Sequence, residues 1–128
     1  PFVTRFPPKN GKPTHIGIND GSRKLLLPSR RYVLLKRFTA KEECRRLVAG
    51  IFSASDSYSE FVGLENHLNY VYSPKGELSE AEAFGVAGYF NSSIVDRYFR
   101  AVSGNTQVNA TEIRALPTPD IETIRAIG

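Results

Sequence analysis

The chain has 128 residues, 41% of them hydrophobic and fourteen aromatic, which fits one packed domain rather than a disordered tail. Its formal charge of +4 is unevenly spread: up to Arg46 twelve Lys and Arg stand against three acids, and beyond it five stand against ten. Its apolar runs all fall well short of the ~20 residues of a helical membrane span, and the single cysteine, Cys44, excludes an internal disulfide and suits a cytoplasmic setting.

Residues 1–29 carry Pro7, Pro8, Gly11, Pro13, Gly17, Gly21 and Pro28 and read as an irregular or hairpin-like N-terminal segment. The start at Pro-Phe, without a Met, reads as a piece of a longer polypeptide. Residues 30–128 then read as one domain. Tyr32 to Phe38 is β-branched and aromatic enough for a strand, and Thr39-Ala-Lys-Glu42 matches a capping box that predicts a turn of helix. Arg45 to Phe52 is a second strand, the serines from Ser53 to Ser59 mark a loop, and Phe61 to Ser73 holds one or two strands before the turn Pro74-Lys-Gly76.

Ser79-Glu-Ala-Glu82 is a further capping box and opens a helix through about Phe90. Ile94, Val95, Tyr98, Phe99 and Val102 are spaced as one stripe of the next helix, which predicts that this face meets the core, with Asp96 and Arg100 paired on the opposite side. Gly104 is placed as a left-handed C-cap. Asn109 and Glu112 predict a short helix that stops before Pro117, and Asp120 caps a last helix to Ile127. Strands first and helices after predict an α+β fold: a mixed or antiparallel sheet from the N-terminal two-thirds, with C-terminal helices packed on one side.

The basic series includes Arg30, Arg31, Lys36, Arg37, Arg45 and Arg46, a set suited to the phosphates of a polyanion or, equally, to a solvated surface. Neighbours on a strand point to opposite faces, so about half of such a series can line one surface. Tyr32, Phe38 and Tyr58 are able to stack on a displaced base or to fill a core. The loop Asn105-Thr106-Gln107-Val108-Asn109 carries amides that can read adenine edges in a groove, or simply cap helix ends. Asn66 and His67, between Glu65 and Asn69, place polar groups inside a strand-like segment and offer a second base contact or a buried network. His15 and His67 have no metal-site spacing, Cys44 has no activating base nearby, and there is no glycine-rich phosphate loop or nucleophile elbow. No catalytic constellation is evident.

Three blocks carry a family resemblance: Tyr32-Val-Leu-Leu-Lys-Arg-Phe-Thr-Ala-Lys-Glu-Glu43, Glu65-Asn-His-Leu-Asn69, and Phe90 to Arg100 with Ser103 to Pro117. Together they resemble the C-terminal specificity region of adenine-specific DNA methyltransferases from bacterial restriction–modification systems, over about residues 30–119. The closing Leu-Pro-Thr-Pro also looks like the end of target-recognition domains in type I restriction specificity subunits. In that family a separate catalytic domain binds S-adenosylmethionine and grips a flipped adenine with an Asn-Pro-Pro-aromatic motif. Here Phe6-Pro-Pro-Lys9 lacks both the amide and the aromatic residue, so catalysis is not assigned to this segment.

The resemblance implies a target-recognition domain that holds double-stranded DNA beside a catalytic methyltransferase domain of the same chain. The expected phosphate contacts are Arg30, Arg31, Lys36, Arg37, Arg45 and Arg46. The expected base contacts are Asn105, Thr106, Gln107 and Asn109, followed by Asn66 and His67. The competing expectation is a protein-interaction module whose helices from Ser79 to Val102 dock on the catalytic domain or a partner subunit, without base readout.

Overall fold

A computed structural model describes residues 15–57 and 59–128, so the expectations for residues 1–14 and Tyr58 lie outside the described residues. The elements are α1 (Asp20–Arg23), β1 (Leu26–Pro28), β2 (Tyr32–Lys36), β3 (Ala49–Phe52), a 3-10 turn (Ala54–Asp56), β4 (Phe61–Gly63), β5 (Leu68–Val71), α2 (Glu80–Phe90), α3 (Ser93–Val102), α4 (Ala110–Arg114) and α5 (Ile121–Ile127). The fold is α+β, as predicted, and each strand pairing is antiparallel.

β2 is the centre of a three-stranded sheet ordered β3-β2-β5, and all five of its residues are buried. The register sets Val33 opposite Ile51 and Val71, and Leu35 opposite Ala49 and Asn69. Since side chains alternate along a strand, Val33 and Leu35 share one face. That face meets the helices: Leu35 joins Leu47, Tyr89, Phe90, Val95, Phe99, Val108, Leu116 and Ile124, while Val33 joins Leu78, Ala83 and Ala87. On the other face Tyr32 stacks on Phe52 and meets the edge of Tyr70. β1 pairs with β4 in a separate two-stranded sheet that ties residues 26–28 to residues 61–63.

Local capping explains the helix starts. Ser79 Oγ accepts from the Glu82 N–H at 3.2 Å and Glu82 returns a carboxylate oxygen to the Ser79 N–H at 2.8 Å, so α2 begins where the pattern predicts. Asp120 does the same for α5, accepting from the Thr123 N–H at 2.8 Å. α5 lies so close on α2 that a Cβ on Gly85 would fall 1.8 Å from the Ile124 carbonyl oxygen.

Four expectations are corrected. Residues 41–44 form turns rather than helix, because Glu43, not Glu42, accepts from the Ala40 N–H and the Arg100 guanidinium takes the carbonyls of Lys41 and Glu43 that a helix would use. The second strand begins at Ala49, because the N–H groups of Arg46 and Leu47 are bound by the Asp96 carboxylate at 2.7 and 2.8 Å. That same demand turns α3: Asp96, Val95 and Phe99 are buried, whereas Ile94, Tyr98 and Val102 are 78%, 45% and 60% exposed. The Asp96–Arg100 pair does form, at 2.9 Å, but on the inward side. Finally, α3 ends at Ser103, whose N–H reaches the Phe99 carbonyl, and among the described glycines only Gly76 has positive φ, so Gly104 is not a left-handed cap.

Candidate nucleic-acid interface

At the end of β2 the chain leaves the sheet and meets two distant loops. The Arg37 N–H donates to the His67 carbonyl at 2.9 Å, and the Arg37 carbonyl accepts from the Val108 N–H at 2.7 Å. Phe38 pairs with Gln107 in an isolated antiparallel bridge, and the Asn69 amide donates to the Val108 carbonyl at 2.7 Å. Backbone bonds of this kind are obligatory once buried, so they hold residues 37–39, 65–69 and 105–109 together at one end of the sheet.

The side chains there are mixed in role. Phe38 is 40% exposed and meets the edge of the His67 ring at 4.8 Å, with the Arg37 guanidinium 5.7 Å over the Phe38 ring. Arg37 also donates to the Asn66 carbonyl at 3.2 Å, and His67 Nδ1 lies 2.7 Å from Glu65. Asn66 and Thr106 are exposed and Gln107 is half-buried. Among the described residues their polar side-chain atoms have no partner in the protein, which leaves them available to an external donor or acceptor.

Asn105 differs from its neighbours. Its side-chain NH2 donates to Glu112 at 3.0 Å, and its backbone carbonyl accepts from Arg46. Glu112 also accepts from Ser103 Oγ at 2.8 Å and from the Asn109 N–H at 3.1 Å, so one carboxylate gathers the whole 103–109 turn. Burial pushes the Glu112 carboxyl up, but these hydrogen bonds and the nearby Arg46 charge outweigh it and hold the group below the ordinary glutamate range.

The six expected phosphate contacts separate. Arg37 stands in the loop cluster, and Arg45 is exposed with one hydrogen bond to the Asn91 carbonyl. Arg30 and Arg31 sit at the opposite end of β2, about 20 Å from Arg37 at ~3.3 Å per residue. There Arg30 donates to the Gly76 carbonyl at 2.7 Å and lies over Tyr32 and Tyr72, while Arg31 donates to the Leu78 carbonyl at 2.6 Å. Lys36 and Arg46 are only 7% and 2% exposed; Lys36 pairs with Glu43 at 2.6 Å, and Arg46 is bonded inside the protein. Tyr32, considered for stacking, is 1% exposed and donates to the Pro28 carbonyl.

Lys41 belongs to the basic series but not to the six expected phosphate contacts, and it is exposed beside Arg46, Arg100, Ser103 and Gly104 around a cleft of about 300 Å³. Its proximity to the 103–104 turn depends on the Arg100 bond to the Lys41 carbonyl, a contact across 59 residues that no local pattern reveals. Among the described residues no group of three or more His, Cys, Asp or Glu is arranged to hold a metal, and no helix is long and apolar enough to cross a membrane.

Comparison with known proteins supplies the context for this surface. The chain is 40% identical over 123 residues to the Type II methyltransferase M.BsuBI of Bacillus subtilis, covering 96% of this chain and 25% of that protein. This chain is homologous to one segment of Type II methyltransferases. A second such protein, M.PstI of Providencia stuartii, is 40% identical over 120 residues, covering 94% of this chain and 24% of the relative. The chain thus spans about a quarter of the length of the curated relatives it matches. No family model and no solved structure matches it.

Proposed function

We propose that this chain is the target-recognition domain of an adenine-specific DNA methyltransferase of a restriction–modification system, and that it binds duplex DNA through the three-loop end of the sheet. The observation that carries this reading is the convergence of Arg37, Phe38, Asn66, His67, Thr106 and Gln107, from segments up to 70 residues apart, in a chain homologous to Type II methyltransferases. Gln107 and Asn66 are amides of the kind that bind the N6 and N7 edge of adenine in the major groove, and Thr106 suits any base edge. Asn109 stands behind them at the start of α4. Arg37 and Arg45, with Lys41, bind phosphates and orient the duplex, while Arg30 and Arg31 serve a more distant stretch of backbone. Lys36 and Arg46 support the loops from inside, and the exposed Asn105 ties the turn to Glu112. The methyl donor, S-adenosylmethionine, and the chemistry on the target base belong in this reading to a separate catalytic domain in the bacterial cytoplasm.

The test is selection of bound DNA from random duplexes at two salt concentrations. The reading expects one short motif to be enriched. Gln107→Ala then relaxes the motif, while Arg37→Ala weakens all sequences about equally and lowers the salt slope by about one. Equal weakening of all DNA by both variants contradicts this division of roles. Absence of binding at low salt favours a second reading, supported by the exposed Ile94, Tyr98 and Val102 on α3, in which the helical side docks on the catalytic domain and base readout is absent.

A further inference from the structure

We infer that Arg46 is a positioning residue for sequence discrimination, fixing the register of the 105–107 loop so that Gln107 and Thr106 are presented to DNA; the inference rests on the proposed recognition function.

Arg46 is 2% exposed and is the largest of the fully buried side chains among the described residues. Its guanidinium makes no ion pair within 4.0 Å there. Instead Nε donates to Thr39 Oγ1 at 2.9 Å, Nη2 donates to the Asn105 carbonyl at 2.5 Å, and the plane lies 5.5 Å over the Phe99 ring. Its backbone N–H is held by Asp96. One side chain therefore links the segment after β2, helix α3 and the 105–107 loop. A buried cation with no carboxylate in direct contact is an inefficient stabiliser compared with an apolar side chain of similar volume. What a rigid guanidinium fork supplies is fixed geometry.

That geometry matters at this loop because its pairing is slight. Gln107 meets Phe38 in a single bridge, and the Thr39 N–H reaches the Thr106 carbonyl at a long 3.4 Å. A slip of one residue would put Asn105 and Thr106, or Gln107 and the apolar Val108, where Thr106 and Gln107 now stand. Arg46 grips the carbonyl of Asn105 and Glu112 grips its amide, two residues before Gln107. Val108, fully buried and bonded to the Arg37 carbonyl, holds the other side. The reading residues are thus suspended between two anchors, and Arg46 is the buried side chain that ties the first of them to the segment after β2 and to α3.

The experiment uses Arg46→Lys, which keeps the charge and loses the fork, and Thr39→Val, which removes one acceptor and leaves Arg46 in place. Amide hydrogen exchange is measured at Thr39 and Val108 against Val33 and Leu35. In parallel, affinity is measured for the duplex that the unaltered chain enriches and for a shuffled duplex. The inference expects exchange at Thr39 and Val108 to accelerate roughly tenfold or more with β2 unchanged. It also expects the preferred-to-shuffled affinity ratio to fall roughly tenfold at an unchanged salt slope. Unchanged loop exchange, or an unchanged ratio, overturns it. A salt slope reduced by about one with equal loss for both duplexes also overturns it, and makes Arg46 a phosphate contact. Failure of the unaltered chain to prefer any duplex defeats the recognition reading instead, while exchange at Val108 still decides whether Arg46 holds the loop.

Discussion

Replacing Asp96 by Ala removes three hydrogen bonds at once: those from the N–H groups of Arg46 and Leu47, at 2.7 and 2.8 Å, and that from Arg100 Nε, at 2.9 Å. The two backbone donors belong to residues that are 2% and 0% exposed, so water cannot replace the lost acceptor. A buried donor left unpaired costs about 1–3 kcal/mol. The half-buried Arg100 guanidinium adds less, because solvent reaches it. Together the loss is about 3–5 kcal/mol, equivalent to about 10–20 °C in melting temperature for a chain of this size. Asp96→Asn keeps a carbonyl oxygen for the backbone donors and loses mainly the charged bond to Arg100, about 1.5–2 kcal/mol.

The pH dependence of the Asp96→Asn penalty has a definite sign. Burial pushes the Asp96 carboxyl up, but the Leu47 N–H, Arg100 and the Arg46 N–H outweigh it and hold the group below the ordinary aspartate range. A carboxyl depressed in the folded state contributes fully above its unfolded value of about 3.9 and loses that contribution as pH falls through the folded value. Urea denaturation at pH 7 and at about pH 3 is therefore expected to show the gap between the unaltered chain and Asp96→Asn narrowing in acid. An Asp96→Ala cost below about 1 kcal/mol, or a gap independent of pH, would refute the role assigned to Asp96.

Thermal unfolding of two glycine variants tests the helix crossing. Gly85→Ala drives a Cβ into the Ile124 backbone and costs at least about 2 kcal/mol, whereas at Gly88 the added Cβ meets only the Ile127 methyl at 3.1 Å and the change is neutral or stabilising by about 0.5–1 kcal/mol. The turned face of α3 makes a second contrast, read by chemical denaturation: Phe99→Ala costs about 3–5 kcal/mol, while Ile94→Ala changes stability by no more than about 0.5 kcal/mol.

Elements whose cause is local were legible in the sequence. β2, α2 and α5 follow from an apolar strand, a reciprocal Ser79–Glu82 cap and the Asp120 cap, each complete within a few residues. The face of α3 was not legible, because Asp96 is turned inward by the amides of Arg46 and Leu47 some fifty positions earlier. The same holds for residues 41–44, where Arg100 captures carbonyls that a capping pattern assigns to a helix. At the candidate interface, the polar residues that the sequence offers as base contacts at 66–67 and 105–107 lie together at one end of the sheet. Charge alone did not sort the cations: Arg45 and Arg46 are adjacent and equivalent in sequence, yet Arg46 turns inward to Thr39 and the Asn105 carbonyl while Arg45 stays exposed. Asn105 reads like Gln107 by type, but its side-chain NH2 is taken by Glu112 and its backbone carbonyl by Arg46.

The most direct test of the central claim is to follow backbone amide resonances while titrating the chain with the duplex it enriches from a random pool. The account predicts that shifts concentrate at residues 37–39, 65–69 and 105–109, with Gln107 and Arg37 among the largest, and that they fade as salt is raised. Shifts confined to the outer face of α3, or to α2 and α5, with these three segments silent, would contradict it.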